Sequence, residues 1–317
     1  IGSAFVRLLC RDCPRRGLSL IVVDKLTYAG DLKRLKGIKG KIKFYKEDIC
    51  NKKEMESIFQ KIRPEVLVNF AAATHVDRSI QDSKVFLDTN ISGTKVLLDN
   101  AIKYNIKRVL HLSTDEVYGE IEKGQFLESS SLKPNSPYSA SKAAADLLIN
   151  SYVRTYSLPA IIIRPCNNYG PWQYPEKLIP LSILKILRNE KMPIYADGKN
   201  VREWLYVDDC AQGIIQILKK GKIGEIYNLG SNEERENIEV VKRILNILNA
   251  SQDMIQFVKD RAGHDKRYRL NSCKVYHEIG WKPSFTFEIG LKTTVEWCLQ
   301  HKAWLLSKWK YIAPLYK

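Results

Sequence analysis

The first half of the chain alternates short apolar segments with helical ones, and this alternation constrains the fold more than any other feature. The apolar segments cover residues 20–23, 41–48, 65–69, 108–112 and 160–164. Continuous apolar strands separated by helices are typical of a parallel sheet covered on both faces. The predicted helices of this half cover residues 4–9, 51–62, 85–104 and 138–156, with Asn51 as an N-cap. The pattern therefore predicts an α/β chain with a doubly wound parallel sheet.

The second half is less regular and richer in loops, proline and tryptophan. Its predicted helices cover residues 178–189, 208–219, 237–249 and 288–301, and Trp204 and Trp281 are expected in the core. We expect a cofactor-binding domain over residues 1–165 and a smaller C-terminal α/β domain on the substrate side over residues 166–317. Some segments of the second domain should return to the first. No low-complexity linker separates the two, so they should pack closely.

Polar or small residues follow the predicted strands at the positions where each strand ends. They are Asp24, Asp48, Ala71, Thr114 and Asn167. In parallel sheets, ligands bind in the crevice beyond the carboxyl ends of the strands. We therefore expect these five residues to line a common crevice.

Two short motifs carry groups suited to acid–base chemistry. Ser113-Thr114-Asp115-Glu116 places adjacent carboxylates after the fourth strand, and Tyr138-Ser139-Ala140-Ser141-Lys142 opens the following helix. Side chains one helical turn apart share a face, so Tyr138 should lie beside Lys142. A nearby ammonium lowers the pKa of a phenol, which predicts that Tyr138 acts as a base near neutral pH. A lone Tyr-x-x-x-Lys pattern is common by chance, and the upstream carboxylate pair makes this copy more specific.

The residues after the first strands suit a dinucleotide cofactor. A carboxylate at Asp24 can accept hydrogen bonds from both ribose hydroxyls and repels a 2′-phosphate, which favours NAD over NADP; taken alone, Asp24 could equally be a turn residue. Asp48 and Ile49 could bracket an adenine, and the small residues 71–73 allow close backbone approach. These features predict a Rossmann-type domain that binds NAD.

The glycine-rich phosphate loop of such a domain is represented only by its end. Ile1-Gly2-Ser3-Ala4 resembles the tail of Gly-x-x-Gly-x-x-Gly, and Gly2 precedes Asp24 by the expected spacing. The helix N-terminus that should face the pyrophosphate is present. We expect that the first strand and first two glycines are missing from this sequence. A polypeptide that begins at Ile1 is predicted to bind NAD weakly and to have little activity.

Composition limits the remaining functional classes. No apolar run approaches the roughly 18 residues of a membrane span, and the first residues resemble an amphipathic helix rather than a signal peptide, which favours the cytoplasm. The seven cysteines show no disulfide framework or complete metal-ligand set, so we expect reduced thiols and no metal. The net charge of +16 could indicate nucleic-acid binding. Because the lysines are dispersed, solvated surface charge is favoured and no nucleic-acid partner is expected.

Several longer motifs resemble the extended short-chain dehydrogenases that act on nucleotide sugars, above all the dTDP-glucose 4,6-dehydratase family. The resemblance runs from Ile1 to at least Trp297. It is carried by residues 24–30, 70–79, 113–119, 167–171, 175–180, 200–209 and 260–268. Thr-Asp-Glu at residues 114–116 is typical of the dehydratases, whereas nucleotide-sugar epimerases and decarboxylases typically lack the Asp-Glu pair. Ala73, Thr74, Cys166 and Ala262 depart from the residues frequent in the family, and none removes a catalytic group.

The resemblance implies a role for each catalytic residue. Tyr138 takes the proton of the sugar C4 hydroxyl while hydride leaves C4 for NAD, Lys142 holds the nicotinamide ribose, and Thr114 steadies the C4 oxygen. Glu116 then removes the C5 proton and Asp115 protonates the departing C6 hydroxyl. Hydride returns to C6, so NAD is regenerated. The product is a 4-keto-6-deoxy sugar nucleotide.

The resemblance also implies the binding residues. Cofactor contacts are expected from Ile1, Gly2, Asp24, Lys25, Leu26, Thr27, Asp48, Ile49, Phe70, Ala71, Ala72, Thr89, Tyr138, Lys142 and Asn168. Substrate contacts are expected from Thr74, Thr114, Asn167, Lys177, Leu178, Pro193, Tyr195, Arg202, Asn237, Asp260, Arg261 and His264. The cations suit a diphosphate, although each taken singly could be a surface charge.

Three alternatives remain open at this point. The substrate could be a UDP-, CDP- or GDP-sugar rather than dTDP-glucose. The enzyme could be a nucleotide-sugar epimerase or decarboxylase, against which Asp115 argues. The chain could also be a non-catalytic binding protein, against which the intact catalytic residues argue. The resemblance further implies a homodimer built through helices of the cofactor domain and a deoxysugar pathway such as rhamnose supply.

Overall fold

Strands and helices alternate through the first half of the chain, as predicted. The computed structural model describes residues 1–12 and 18–316, so Cys13 lies outside the described residues. The strands are β1 (Leu20–Val23), β2 (Ile42–Tyr45), β3 (Val66–Asn69), β4 (Arg108–Leu112), β5 (Ala160–Pro165), β6 (Asn167–Tyr169), β7 (Met192–Tyr195), β8 (Val201–Tyr206), β9 (Ile226–Leu229), β10 (Glu234–Glu236) and β11 (Ile255–Val258).

Parallel pairing dominates the first half and confirms the predicted α/β class. β1 pairs with β2, and a second sheet has the order β3-β4-β5-β9 with every pair parallel. All six residues of β5 are buried, which explains why residues 160–163 are continuously apolar rather than alternating. β9 brings residues of the second half into this sheet. The division into domains at residues 165 and 166 stays a prediction.

Helices separate most of these strands, and their bounds lie close to the predicted ones. They cover Gly2–Asp12, Lys52–Ile62, Val76–Gln81, Pro137–Tyr156, Leu178–Leu187, Val207–Lys220, Asn237–Ile247, Cys273–Ile279 and Phe287–Gln300, followed by Lys302–Ser307 and Trp309–Ile312. Shorter 3-10 segments cover Leu32–Lys41, Asp115–Tyr118, Gln252–Met254 and Ala313–Tyr316. The predicted N-cap is confirmed, because the Asn51 side chain accepts a hydrogen bond from the Glu54 backbone N–H.

The long helix predicted over residues 85–104 changes its winding part of the way along. An α-helical turn at Lys84–Phe86 leads into a π-helix at Leu87–Gly93, and the α-helix resumes at Thr94–Lys103. A Cβ atom on Gly93 would come within 2.7 Å of Ile49 Cδ1, so this helix packs closely against the segment after β2. Helical π segments are frequent at functional sites, and this one carries Thr89 and Asn90.

The second half forms two smaller sheets beside the first. β8 pairs with β10 and β6, and β7 pairs with β11. Trp204 and Trp281 are buried, as predicted. The helix Val207–Lys220 packs against Gly2–Asp12, so the two halves share one apolar core. Within residues 1–12 and 18–316, no helix combines the length and apolar character that crossing a membrane requires.

Candidate active site

The two adjacent carboxylates lie on a short 3-10 helix directly after β4. Thr114 begins this helix at its N-cap position, where its Oγ1 accepts a hydrogen bond from the Glu116 backbone N–H at 3.3 Å. The same hydroxyl donates to Asp115 Oδ1 at 3.1 Å. Asp115 is only 2 % exposed, and its Oδ2 has no hydrogen-bond partner among the described residues. That oxygen is therefore available to a substrate.

The environments of Asp115 and Glu116 differ although the residues are adjacent. Burial, reinforced by the charges of Glu116 and Glu203, raises the pKa of Asp115 well above its usual range. Burial also raises the pKa of Glu116, but the cations Arg261, Lys177 and Arg202 oppose this rise. Asp115 is thus the better proton donor and Glu116 the better base. This is the division of roles that the resemblance implies.

Tyr138 lies close enough to this pair for the charges of Asp115 and Glu116 to act on its hydroxyl group. It lies in the first turn of the helix Pro137–Tyr156, whose start is fixed by a reciprocal capping box between Ser136 and Ser139. Burial, and next the charge of Glu116, raises the pKa of Tyr138, while a hydrogen bond with the Thr114 side chain opposes the rise. Tyr138 therefore lies within hydrogen-bond reach of Thr114 and feels the charges of both carboxylates. The phenol and the carboxylate pair are brought together.

The predicted pKa of Tyr138 is wrong in its direction for the protein without ligands. We expected the ammonium of Lys142 to lower it, whereas burial and the carboxylates raise it. The Nζ atom of Lys142 instead donates to the backbone oxygen of Leu112 at 2.6 Å and lies 3.2 Å from His111 Nε2. Sequence spacing placed the two residues on one helical face correctly, but it could not reveal burial.

The turn after β1 and the segment after β2 meet at the expected cofactor side. Asp24 is exposed, and its Oδ1 accepts a hydrogen bond from the Leu26 backbone N–H at 2.7 Å. Lys25 Nζ bridges Asp48 Oδ2 at 3.1 Å and Thr89 Oγ1 at 3.4 Å. Carboxylate, ammonium and hydroxyl groups from three elements therefore converge here. Two other predicted cofactor residues lie beside them: Thr27 accepts a backbone hydrogen bond from Gly30, and Ile49 is buried.

The start of the first helix faces the end of β3. A Cβ atom on Gly2 would lie 3.3 Å from the Phe70 side chain, so glycine permits this close approach. Ile1 packs against the apolar core, and its carbonyl accepts the first helical hydrogen bond from Phe5. The partly exposed residues Ala71 and Ala72 follow Phe70. A backbone of this kind leaves room for a ligand beside a helix N-terminus.

The asparagines after β5 present polar atoms toward the same side of the sheet. Asn167 and Asn168 begin β6, and their Oδ1 atoms are buried without a hydrogen-bond partner in the described part of the chain. Asn168 Nδ2 donates to the backbone oxygen of Cys166 at 2.9 Å, which fixes its amide. Buried amide oxygens without partners are unfavourable in a finished site and point to a ligand that donates to them.

Segment 175–180 connects the substrate side to the cofactor side. Lys177 Nζ donates to the backbone oxygen of Thr74 at 2.8 Å, and Leu178 begins the next helix. The neighbouring Glu176 accepts a hydrogen bond from the Tyr28 hydroxyl at 3.1 Å. Tyr28 belongs to the turn after β1, so this hydrogen bond joins the two ligand-binding regions directly.

Glu176 was part of a quoted motif, but sequence reasoning gave it no role. It is only 6 % exposed, and its Oε2 lies 3.5 Å from Arg78 Nε and 3.9 Å from His75 Nε2. Burial raises the pKa of Glu176, against which Lys177 and Arg78 act. The available signal was a carboxylate directly before Lys177, in a short segment that ends in apolar residues.

The two arginines expected at a diphosphate differ in how their guanidinium groups are used. Arg202 is buried and donates to the backbone oxygens of Val201 at 2.7 Å and Asp265 at 2.8 Å. Arg261 has a buried Nε without a hydrogen-bond partner within residues 1–12 and 18–316, and its Nη1 lies 3.8 Å from Asp77 Oδ2. Arg261 is therefore better placed for a direct phosphate contact, whereas Arg202 also holds the backbone around it.

Tyr195 and His264, two of the other predicted substrate residues, lie near enough to Arg261 for its charge to act on them. Tyr195 and His264 meet edge to face with ring centroids 5.8 Å apart, and His264 Nδ1 lies 2.6 Å from Asp260 Oδ1. Burial, reinforced by Arg261, lowers the pKa of His264 to about 4, so its ring is neutral at physiological pH. Pro193 is two residues before Tyr195 on β7 and shares its face. Asn237 begins the helix Asn237–Ile247, and its backbone N–H donates to the Asn200 carbonyl oxygen.

The doubly wound parallel sheet, the Tyr138–Lys142 helix and the carboxylate pair define the class of protein. This is an extended short-chain dehydrogenase with two adjacent carboxyl groups beside the Tyr138–Lys142 helix. The chain belongs to the GDP-mannose 4,6-dehydratase family, whose sequence profile matches residues 1–294. The resemblance predicted from the motifs is therefore confirmed.

Individual relatives are similar over nearly the whole chain. The low-salt glycan biosynthesis protein Agl12 of Haloferax volcanii is 46 % identical, with 94 % of this chain and 95 % of the relative covered. The dTDP-glucose 4,6-dehydratase of Xanthomonas campestris is 43 % identical over 96 % of this chain and 92 % of the relative. The crystal structure of DesIV, a dTDP-glucose 4,6-dehydratase of Streptomyces venezuelae with NAD and TYD bound, has a TM-score of 0.93 and 43 % identity, covering 96 % of this chain and 95 % of DesIV.

Proposed function

We propose that this chain dehydrates dTDP-glucose to dTDP-4-keto-6-deoxyglucose, with NAD as the bound cofactor. The observation that carries the proposal is the convergence of Tyr138 with Asp115 and Glu116, each of them in a different electrostatic environment. Such a site has one group for the C4 hydroxyl and two for the loss of water. The names of the similar proteins support the same activity.

The residues at the carboxyl ends of β1 and β2 suit NAD. The exposed carboxylate of Asp24 is placed to accept ribose hydroxyls, and Lys25 with Thr89 and Asp48 forms a polar cluster beside it. The unpartnered Oδ1 atom of Asn168 fits a donor group of a ligand. When bound, NAD supplies a hydride acceptor for C4 and a hydride donor for C6.

Tyr138 and Thr114 act at the C4 hydroxyl. Tyr138 receives the proton of this hydroxyl, and Thr114, which is hydrogen-bonded to the phenol, holds the same oxygen in place. Tyr138 can receive this proton only as a phenolate, whereas in the ligand-free protein burial and the carboxylates raise its pKa and favour the protonated phenol. A ketone at C4 then makes the proton on C5 acidic.

Asp115 and Glu116 carry out the elimination. Glu116, whose negative charge is favoured by Arg261, removes the C5 proton. Asp115, which holds its own proton because it is buried, gives that proton to the C6 hydroxyl so that water can leave. A carboxylic acid is needed here because hydroxide is a poor leaving group.

The proposed substrate contacts follow from the cations and rings around Arg261. Arg261 and Lys177 are placed to bind the diphosphate, and Arg202 adds positive charge to the same region. Tyr195 and His264, whose rings meet edge to face, are the aromatic groups proposed to contact the nucleotide base. The unpartnered amide oxygen of Asn167 can accept a hydrogen bond from a sugar hydroxyl.

Other activities of this class need different groups. A dehydratase for a UDP-, CDP- or GDP-sugar would use the same catalytic residues and differ only at the base. An epimerase or a decarboxylase expels no water and therefore needs no buried acid beside Glu116. Asp115 accordingly favours dehydration.

Product analysis tests the proposal. The protein, in its full natural length, is incubated with NAD and with dTDP-, UDP-, CDP- or GDP-glucose that carries deuterium at C4. We expect a 4-keto-6-deoxy product from dTDP-glucose with the deuterium at C6, and no product from Tyr138→Phe. A 4-epimer, or release of carbon dioxide from the matching uronic acid, would reject dehydration; a product from another nucleotide alone would reject only the base.

We also propose that the protein is a cytoplasmic homodimer without nucleic-acid partners, serving a deoxysugar pathway such as rhamnose supply. The helices of the cofactor domain support the dimer, because they expose large apolar side chains. These are Val85, Leu87, Leu147 and Tyr156, each about half exposed. Analytical ultracentrifugation of Leu147→Lys should show a monomer where the parent protein shows a dimer.

A further inference from the structure

A chain of three buried polar side chains lies beneath the catalytic helix. Asn69 ends β3, His111 lies inside β4, and Lys142 reaches them from the helix Pro137–Tyr156. Asn69 Nδ2 is 3.2 Å from His111 Nδ1, and His111 Nε2 is 3.2 Å from Lys142 Nζ. Their exposed fractions are 5 %, 1 % and 2 %. Polar groups this deeply buried must satisfy one another.

The direction of the first hydrogen bond is fixed by the backbone. Asn69 Oδ1 accepts from the Ala71 backbone N–H at 3.0 Å, so the amide nitrogen is turned the other way. That nitrogen faces Thr94 Oγ1 at 3.4 Å and His111 Nδ1. An amide nitrogen can only donate, so His111 Nδ1 must accept. A neutral His111 therefore carries its proton on Nε2.

The proton on Nε2 constrains Lys142. An ammonium group has three donors and no acceptor, so a charged Lys142 would face the His111 N–H donor to donor. A neutral amine has a lone pair that accepts this N–H while one of its own hydrogens still binds the Leu112 carbonyl oxygen at 2.6 Å. Only the neutral amine satisfies every group in the chain.

The charged groups around Lys142 do not reverse the preference of this hydrogen-bonded chain for the neutral amine. His111 does not become cationic, because burial, reinforced by Lys142, lowers its pKa well below the usual range. Asp146, one turn beyond Lys142, attracts an ammonium, but it forms a buried ion pair with Arg164 of β5 at 2.8 Å. Burial outweighs that attraction and lowers the pKa of Lys142 to about 8. Asp115 and Glu116 act on Tyr138, the remaining titratable neighbour.

We propose that Asn69 and His111 are positioning residues that favour the neutral amine of Lys142 over its ammonium until a bound ligand offers Lys142 a hydrogen-bond acceptor. The proposed function enters this inference only through the consequence for Tyr138. An ammonium at Lys142 would favour the phenolate of Tyr138, so disfavouring the ammonium favours a protonated Tyr138 in the empty site. The base then becomes active only when ribose hydroxyls occupy the cofactor site and accept hydrogen bonds from Lys142.

The first test reads the tautomer directly in the ligand-free protein. Long-range ¹H–¹⁵N NMR spectra distinguish the two neutral imidazole tautomers, and His111→Gln assigns the signal among the five histidines. We expect His111 with its proton on Nε2 throughout the neutral pH range. A proton on Nδ1, or an imidazolium, overturns the proposal. Because no substrate or turnover is involved, failure of the proposed dehydratase activity would leave this result unaffected.

The second test reverses the hydrogen-bond direction. Asn69→Asp replaces the donor by an acceptor, which should move the proton of His111 to Nδ1 and let Nε2 accept from a charged Lys142. We expect the pKa of Lys142, followed by NMR of ¹³C-labelled lysine, to rise by about one unit or more, a tenfold change in proton affinity. The acid limb of the pH profile of kcat/KM should move to lower pH.

Two further comparisons separate the reversed direction of the hydrogen bond between residues 69 and 111 from other effects of the substitution. Thr94→Val removes the other partner of the Asn69 amide without reversing it, so the pKa of Lys142 should stay unchanged. Asn69→Asp could also raise the pKa of Lys142 while the proton of His111 stays on Nε2. In that case the negative charge of the new aspartate alone is responsible, and the proposed role of the Asn69–His111 hydrogen bond is refuted. Should Asn69→Asp fail to fold, His111→Gln serves instead, since its amide oxygen can accept from Lys142 and should also raise the pKa.

Discussion

At the scale of single residues, the site depends on the different electrostatic environments of two neighbouring carboxyl groups. Asp115 has an oxygen that finds no partner among the residues the structure describes, and it lies among other negative charges, whereas the charge of Glu116 is favoured by three cations. Sequence adjacency alone would give them similar pKa values. The difference comes from the 3-10 helix, which turns consecutive side chains toward different surroundings.

Asp115→Asn tests the proposed division of labour. The amide keeps the shape but cannot give a proton to the C6 hydroxyl, so water loss should slow by about a hundredfold or more, while oxidation at C4 should change far less. Rapid-mixing absorbance of reduced nicotinamide, together with quenched product analysis, separates the two steps. The matched variant Glu116→Gln should block exchange of the C5 proton with solvent. Equal slowing of both steps in Asp115→Asn would show that Asp115 is not the acid.

At the scale of elements, the 3-10 helix that carries the carboxylates is held in place by the glycine that follows it. Gly119 has φ of 79°, and a Cβ atom there would overlap the carbonyl oxygen of Lys133. Gly124 has a similar φ of 84°, yet its nearest contact for a Cβ is Ile121 Cδ1 at 3.9 Å. The two glycines share a positive φ and differ in available space, so comparing them helps to separate the cost of backbone strain from the cost of a clash.

Gly119→Ala should therefore cost more stability than Gly124→Ala. We expect about 1 kcal/mol for Gly124→Ala from the left-handed backbone alone, and roughly 2–4 kcal/mol for Gly119→Ala because the backbone must also move. Urea denaturation of the two variants measures both free energies. The backbone movement in Gly119→Ala should also reduce catalytic activity, whereas Gly124→Ala should keep its catalytic activity. Equal losses in both would mean that the Lys133 contact does not hold the helix.

Element positions were predictable where one local signal dominated. The continuous apolar runs located β3, β4 and β5 within a residue or two, and Asn51 located a helix start, because burial on both faces and capping are written in short stretches. The π segment at Leu87–Gly93 was not predictable, since it accompanies close packing on Ile49, which is distant in sequence. The raised pKa of Tyr138 and the Glu176 hydrogen bond also depend on tertiary contacts.

At the scale of the whole molecule, the last helices are tied to the start of the chain. Asp31, the N-cap of the segment Leu32–Lys41, accepts hydrogen bonds from Trp304 Nε1 at 2.8 Å and Lys308 Nζ at 2.6 Å. Burial opposes the charge of Asp31, but the hydrogen bonds from Lys308 and Trp304 outweigh it and lower the pKa of Asp31 to about 2. This stabilisation is complete above about pH 4 and is lost as the pH falls toward 2.

Asp31→Asn should destabilise the protein by about 2 kcal/mol at neutral pH, because it removes the charge that Lys308 pairs with. Lys308→Met should cost a similar amount, and the double variant should cost less than the sum of the two. Urea denaturation gives the three values. Asp197→Asn is the control, since Asp197 and its partner Lys199 are both exposed, and it should leave stability nearly unchanged. Additive effects of Asp31→Asn and Lys308→Met on the free energy of unfolding would show that the two residues do not stabilise the protein through their ion pair.

The hydrogen bond between Tyr28 and Glu176 has a practical consequence for engineering. Tyr28 belongs to the cofactor turn and Glu176 to the substrate segment, yet each satisfies the other. Exchanging second halves between family members, in order to redirect the enzyme to another nucleotide sugar, would break such pairs unless both partners come from the same parent. A chimaera should therefore inherit residues 24–30 together with its donor's residues 175–180, or it will bury a carboxylate with no hydroxyl to meet it.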